Sequence, residues 1–429
     1  MKRTLFLALL LSLAAVGHAQ YVPSAENLAA RQAFADAKFG IFLHWGLYSV
    51  YGQGEWYMNV GIDNQEYAKA ANAFYPHDFD ADEWVKIFRE SGAKYICFTS
   101  RHHEGFSMWD TKASDYNIMH TPYGKDVVGQ LADACHKADM PLHLYYSHLD
   151  WTREDYPLGR TGLKTGRKHA SKQGDWNSYY AFMNAQLREL LTNYGRIGAI
   201  WFDGWWDHDE DAVPFDWHLP EQYALIHSLQ PACLIGNNHH QTPFEGEDIQ
   251  IFERDVPGEN KAGLSGQDIS RLPLETCQTM NGMWGYKVID QNYKSTAELI
   301  QLLVRTSGKG ANLLLNIGPQ PDGRLPQTAV DRLREIGQWL RTNGESIYAT
   351  TAGEVGDGTD IVSTRKGSRL YVHVLSPSRT PIAFKLPKKP QRVCEFPSGR
   401  ALPFNYADGI ATLAPEIPEN TIDYIFYVE

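Results

Sequence analysis

The chain has 429 residues, too many for one small core, and implies two domains of which one is large. A formal net charge of −11 argues against nucleic acid as a partner and leaves a neutral ligand open. The five cysteines (Cys97, Cys135, Cys233, Cys277, Cys394) are widely spaced, with no metal-ligand spacing, and read as buried free thiols, with room for one disulfide in an exported protein.

Met1-Lys2-Arg3, an apolar run at 5–16 and Gly17-His18-Ala19 have the three parts of a secretory signal. The apolar run is too short to span a bilayer, and no later segment is long and apolar enough to do so. The expectation is therefore cleavage after residue 19, export to the periplasm or the medium, and no membrane insertion. No cysteine at the cleavage site invites a lipid anchor. Loss of Lys2 and Arg3 leaves the mature chain near −13.

Residues 80–92 read as a helix with Trp84, Ile87 and Phe88 on one face, followed by a strand at 93–99. Val127, Val128, Leu131, Ala132 and Cys135 form the next helical face, before a strand at 141–147. A long helix at 178–194, closed by Gly195, leads to a strand at 197–203. A helix at 220–229 and a strand at 232–236 follow. Ser295-Thr296-Ala297-Glu298 is a capping box opening a helix that ends at 306. A strand at 311–317 and a helix at 327–343, closed by Gly344, complete the series.

This alternation implies a parallel sheet. Its length favours a (β/α)8-like barrel over a doubly wound open sheet. No Gly-rich phosphate loop stands in the right context, and Gly308-Lys309-Gly310 precedes a strand as a connector. From about residue 350 the period changes to two, at 369–375 and 421–428, with Lys366-Gly367-Ser368 as a hairpin turn. The expected organisation is a signal at 1–19, a catalytic barrel at 20–348, and a small all-β sandwich at 349–429 that packs against the barrel, with glycan binding as its alternative role.

In such a barrel the C-terminal ends of the strands face the active site. Four predicted ends are rich in polar and aromatic groups: His44-Trp45-Gly46, His102-His103-Glu104-Gly105-Phe106, Tyr145-Tyr146-Ser147 and Trp201-Phe202-Asp203-Gly204. Together they suggest one carbohydrate-sized pocket. Sixteen histidines raise the question of a metal. However, His102 and His103 on an extended segment would point to opposite faces, and none of the chelating spacings is present among His44, His143, His148, His239 and His240. Neither a metal nor a cofactor is expected. No G-x-S-x-G elbow is present, and Ser147 lacks an obvious base nearby. Paired carboxylates remain. A retaining glycosidase uses two, a nucleophile and a general acid with a raised pKa, about 5–5.5 Å apart. His44, Glu55-Trp56, His102-His103, Tyr146, Trp201, Asp203, Arg254 and Glu259 supply the residue types such a pocket needs.

Phe42-Leu43-His44-Trp45-Gly46, Gly92-Ala93-Lys94-Tyr95, Arg101-His102-His103-Glu104-Gly105-Phe106 with Trp109, Tyr145-Tyr146-Ser147, Trp201-Phe202-Asp203-Gly204, Trp284-Gly285-Tyr286 and Asn312-Leu313-Leu314-Leu315-Asn316-Ile317-Gly318-Pro319 resemble the α-L-fucosidases of glycoside hydrolase family 29, in order, over residues 38 to 325. The resemblance implies a barrel followed by a β-sandwich, and cofactor-free, retaining hydrolysis of terminal α-L-fucose from a fucosylated oligosaccharide or glycoconjugate. It assigns Asp203 as nucleophile and His44, His102, His103 and the Glu55-Trp56 pair to the fucose hydroxyls. Tyr146, Phe42 and Trp284 match residues around the ring and its C5 methyl, and Arg254 an arginine near the nucleophile. Three glutamates compete for the acid/base: Glu259 fits best, with Glu275 and Glu253 as alternatives. Two rival readings stand beside this one, a catalytically silent fucose-binding protein on the same fold and a barrel glycosidase for a related sugar such as an α-L-galactoside.

Overall fold

The computed structural model describes residues 21–162, 174–376 and 380–429; the expected signal at 1–19 lies outside the described residues. Eight parallel strands build the first sheet: β1 (Phe39–Leu43), β2 (Tyr95–Arg101), β3 (Leu142–Ser147), β4 (Ala199–Asp203), β5 (Leu234–Asn238), β6 (Gln250–Glu253), β7 (Leu274–Thr279) and β8 (Asn312–Ile317). Their order is β5-β4-β3-β2-β1-β8-β7-β6. The two edges meet at one parallel bridge between Gly236 and Ile249, where the Asp248 and Ile249 N–H groups donate to the Ile235 carbonyl at 2.7 and 3.1 Å. The sheet is therefore a nearly closed (β/α)8-like barrel. Most of its strands are buried on both faces, which is why they read as continuous apolar runs.

Helices Ala81–Glu90, Val127–Lys137, Trp176–Asn193, Leu219–Leu229, Thr296–Gly308 and Gln327–Asn343 cover the outside. Local chemistry starts most of them. The Asp80, Asp126 and Asp175 carboxylates accept from backbone N–H groups in the first turns, and Ser295 with Glu298 forms the expected capping box. Gly195 is left-handed (φ +68°) just past its helix. Gly344 is not: its φ is −59° and the chain continues into a short 3-10 turn, Gly344–Ser346.

Three elements that cap or complete the barrel escape the sequence reading, as do the short helices Tyr48–Tyr51 and Asn64–Ala68. Helix Ala25–Ala37 crosses the N-terminal end of the barrel, where Asn312 Nδ2 donates to the Phe34 carbonyl (2.7 Å) and Arg31 pairs with Asp248 (2.6 Å). Strands β6 and β7 are short or polar, and the β5–β6 and β6–β7 connections carry no helix, so no change of period marks them. Strands β2 and β5 also end two residues later than expected, which brings Asn238 to a strand end.

After the barrel, β9 (Thr351–Ala352), β10 (Ile361–Lys366), β11 (Arg369–Val374), β12 (Ile382–Lys385), β13 (Val393–Glu395), β14 (Asn405–Ala407), β15 (Ile410–Leu413) and β16 (Tyr424–Val428) form two antiparallel sheets, β13-β16-β11-β10-β9 and β12-β15-β14. Val372, Phe384, Leu413 and Phe426 lie in the core between them. The sandwich meets the barrel on helix Thr296–Gly308, where Gln301 Nε2 donates to the Leu375 and Ile422 carbonyls at 3.0 Å each. All five cysteines are buried and unpaired. Among the described residues no helix is long and apolar enough to cross a membrane.

Candidate active site

A cavity of about 220 Å³ opens at the C-terminal end of the barrel. Strand β1 supplies Phe42 and leads to His44; β2 leads to His102 and His103; β3 supplies Tyr145; β4 supplies Trp201 and Asp203. Asn238 and His240 come from the end of β5 and just past it, Glu253 from β6, Cys277 from β7, and Trp56, Arg160, Trp206, Leu264 and Trp284 from the connecting loops.

Asp203 sits at the centre of a donor cage. Its Oδ1 accepts from the Gly204 N–H (2.8 Å), the Trp206 indole N–H (2.9 Å) and, at 3.4 Å, the Asn238 amide. Its Oδ2 accepts from the Tyr145 hydroxyl (2.9 Å), with His103 Nε2 3.5 Å away. Gly204 makes the turn possible: its φ is +96°, and a Cβ there would lie 3.0 Å from Leu149. Burial, and then the negative charge of Glu253, push the Asp203 carboxyl up to about 6.

The imidazoles are held neutral by burial: His44 is pushed down to about 3, and His102 and His103 lie well below the usual histidine range. Their tautomers follow from their partners. Asn316 Nδ2 donates to the Trp284 carbonyl (2.7 Å), so its Oδ1 accepts from His44 Nδ1–H (2.7 Å). Ser147 donates its hydroxyl proton to the Leu149 carbonyl (2.6 Å) and accepts from His103 Nδ1–H (2.7 Å). Both Nε2 atoms are left as acceptors for hydroxyl protons. His102 Nδ1 is buried without a protein partner. Trp201, Phe42 and Trp284 form an apolar wall, with ring centroids 5.1 and 6.1 Å apart about Phe42.

The structure brings Phe42, His44, Trp56, His102, His103, Trp201, Asp203, Glu253 and Trp284 together and places five other sequence candidates elsewhere. Tyr146 points outward, donating to Gln186 Oε1 (2.8 Å) beneath the Arg101 guanidinium, and Tyr145 faces the cavity instead. Glu275 lies below the floor, accepting from Tyr95 Oη (2.6 Å) and Trp201 Nε1 (2.8 Å); burial pushes it up to about 7. Glu55 is buried behind Trp56 and accepts from the Gly285 N–H (2.7 Å). Arg254 braces the wall from outside, its guanidinium 5.0 Å over Trp284, and donates to the Gly282 carbonyl. Glu259 stays on the 255–267 loop, paired with Lys261 (2.8 Å), while Leu264 of that loop reaches the cavity. The expectation that His102 and His103 face apart also fails. After a register shift between Thr99 and Arg101 the strand stops at Arg101, the chain turns, and the rings meet with centroids 4.2 Å apart. Among the described residues no group of three or more His, Cys, Asp or Glu side chains could hold a metal ion.

Sequence reasoning missed Tyr145, Arg160, Trp206, Asn238, His240, Leu264 and Cys277 as pocket residues. His240 was visible only as a metal candidate, and Tyr145 carried a signal in the motif it shares with Tyr146.

The profile described as alpha-L-fucosidase matches residues 8–345. The chain belongs to the α-L-fucosidase family. It is 30% identical to the α-L-fucosidase of Dictyostelium discoideum over 84% of this chain and 81% of that protein. It is 31% identical to the plasma α-L-fucosidase of Homo sapiens over 77% and 72%. Among solved structures, α-L-fucosidase isoenzyme 1 from Paenibacillus thiaminolyticus superposes with a TM-score of 0.82 at 31% identity, covering 94% of this chain and 99% of that one. The Thermotoga maritima α-fucosidase in complex with a mechanism based inhibitor gives 0.75 at 28% identity, covering 96% and 100%. The fucosidase barrel and its C-terminal sandwich are thus shared along nearly the whole chain.

Proposed function

We propose that Asp203 is the nucleophile and Glu259 the acid/base of this retaining α-L-fucosidase, which releases terminal α-L-fucose from fucosylated glycans. The carrying observation is the Asp203 carboxylate, aimed into the cavity by Tyr145, Trp206 and Gly204. It attacks the anomeric carbon as the glycosidic bond breaks, and Glu259 gives its proton to the leaving oxygen. Glu259 then takes a proton from water, which releases fucose from the covalent fucosyl-enzyme with retained configuration. Glu259 reaches the leaving oxygen when the 255–267 loop folds over the sugar, and Leu264 already marks that loop as the cavity rim. The neutral imidazoles of His44 and His103 accept from sugar hydroxyls. The Phe42–Trp201–Trp284 wall takes the C5 methyl, where a C6 hydroxyl would lose its hydrogen bonds.

A second reading makes Glu253 the acid, and its place in the cavity favours it. Against it, Glu253 is held as an anion: burial pushes its carboxyl up, but His240, Asn238 and Arg254 outweigh burial and keep it below the usual range. Turnover of 4-nitrophenyl α-L-fucoside and a fucosyl oligosaccharide tests both. Asp203→Ala loses at least about 1,000-fold on each. Glu259→Ala loses the oligosaccharide far more than the aryl fucoside, and azide restores turnover. If Glu259→Ala retains both activities and Glu253→Ala shows the azide rescue, the acid is Glu253. Export through the signal at 1–19 belongs to the same proposal; amino-terminal sequencing of the mature protein tests it.

A further inference from the structure

The cavity holds one carboxylate that this double displacement leaves idle. Glu253 ends β6 with its side chain in the cavity. Its Oε2 accepts from Asn238 Nδ2 (2.8 Å) and from His240 Nε2 (3.1 Å). His240 is left-handed (φ +62°), and its ring reaches back to Glu253 from the turn after β5. The same Asn238 amide lies 3.4 Å from Asp203 Oδ1, so one donor spans both carboxylates.

We propose that Glu253 is a fixed negative charge of the active site, held by His240 and Asn238, that stabilises the cationic sugar of the transition state and sets the pH at which Asp203 ionises. The inference rests on Asp203 as nucleophile. Attack at the anomeric carbon builds positive charge on the sugar ring. An anion already held in place inside a buried site stabilises that charge without reorganising.

Two carboxylates bridged by one amide resist joint ionisation, and the first proton taken up goes to the one farther from a cation, which is not Glu253, beside Arg254. Asp203 is that one: burial and Glu253 push it up to about 6, whereas Glu253 stays below the usual range. Other groups also face the pair. His103 and Tyr145 meet Asp203, and His44, Glu55, Arg254 and Cys277 surround Glu253. Burial keeps His44 and His103 uncharged, keeps the Tyr145 and Cys277 protons on, and raises Glu55. Arg254, with its Nε 4.0 Å from Glu253 Oε1, supplies the positive charge, and His240 Nε2 adds a hydrogen bond at 3.1 Å.

The test is kcat/KM against pH on 4-nitrophenyl α-L-fucoside, which reports the free enzyme. In Glu253→Gln only Asp203 titrates, so the acid limb moves to lower pH by about one unit. Plateau kcat falls at least tenfold with KM within about threefold, and azide restores nothing. His240→Asn, which tolerates the left-handed backbone, destabilises the doubly ionised pair and moves the acid limb the other way. The second variant keeps the idea testable if the first does not fold. An unmoved limb in both variants, or the same direction in both, overturns the proposal. Azide rescue of Glu253→Gln with loss of the basic limb overturns it in favour of Glu253 as acid/base. Retained turnover in Asp203→Ala would instead refute the nucleophile itself.

Discussion

Replacing Tyr145 by phenylalanine removes the donor that holds Asp203 Oδ2 at 2.9 Å and leaves the ring in place against Trp201, 5.5 Å between centroids. A hydrogen bond to a charged group is worth about 1.5–3 kcal/mol. At about 1.4 kcal/mol per pKa unit, its loss raises the Asp203 carboxyl by about 1–2 units. The sign follows from the proposed role: a nucleophilic Asp203 works ionised, and burial and Glu253 push its carboxyl up to about 6, so activity is lost as pH falls through that value. In Tyr145→Phe the loss begins roughly 1–2 pH units higher, and at pH 5 kcat/KM on 4-nitrophenyl α-L-fucoside drops roughly 10- to 100-fold below wild type. Above pH 8.5 the two enzymes converge to within a few-fold. Tyr146→Phe is the control: that hydroxyl serves Gln186 outside the barrel, and its removal leaves the limb where it was. A limb that stays put in Tyr145→Phe, or one that moves equally in both variants, refutes the reasoning.

Two further expectations concern buried charge. Arg101 and Asp150 are paired inside the barrel wall at 0% and 1% side-chain exposure, and Asp150→Asn leaves the guanidinium buried and uncompensated; a cost of about 3–5 kcal/mol should appear as a fall of several degrees in the thermal unfolding midpoint, and an unchanged midpoint would show that the pair contributes nothing. Glu275 keeps its proton up to about 7 when folded but releases it near 4.5 when unfolded, so its contribution to stability falls as pH rises between those values, by roughly 3 kcal/mol in all. Glu275→Gln cannot titrate, so the stability advantage of wild type over this variant shrinks from pH 5 to pH 8; a gap independent of pH would contradict the buried-acid reading.

Much of the site was legible because strand ends carry their chemistry in local order. The runs ending in His44, His102-His103 and Trp201-Phe202-Asp203 read correctly as loops and strand tips facing one pocket. The rest was hidden by geometry. Glu275 has the residue type and spacing of an acid/base, yet sits beneath the floor, because β7 runs in register with β8, Glu275 opposite Asn312 near the N-terminal end of the barrel. Asn238 was missed because β5 runs two residues past its expected end, and the strand-end position of Glu253 was hidden because β6 has only four residues and no helix joins it to β5 or β7.

The alternation of apolar strands with amphipathic, capped helices, and the switch to period two near residue 350, were determined by sequence alone. Burial on both faces, the helical period and side-chain caps are patterns written within a few neighbouring residues. Only the tertiary structure decided which side chains share the cavity. Tyr145 faces in and Tyr146 out because β3 pairs with β4 so that Tyr145 lies beside Trp201 and Tyr146 beside Phe202. Adjacent residues of a strand point to opposite faces, so a one-residue difference in register exchanges the pocket for the helix layer, and register is a property of strands brought together from distant parts of the chain.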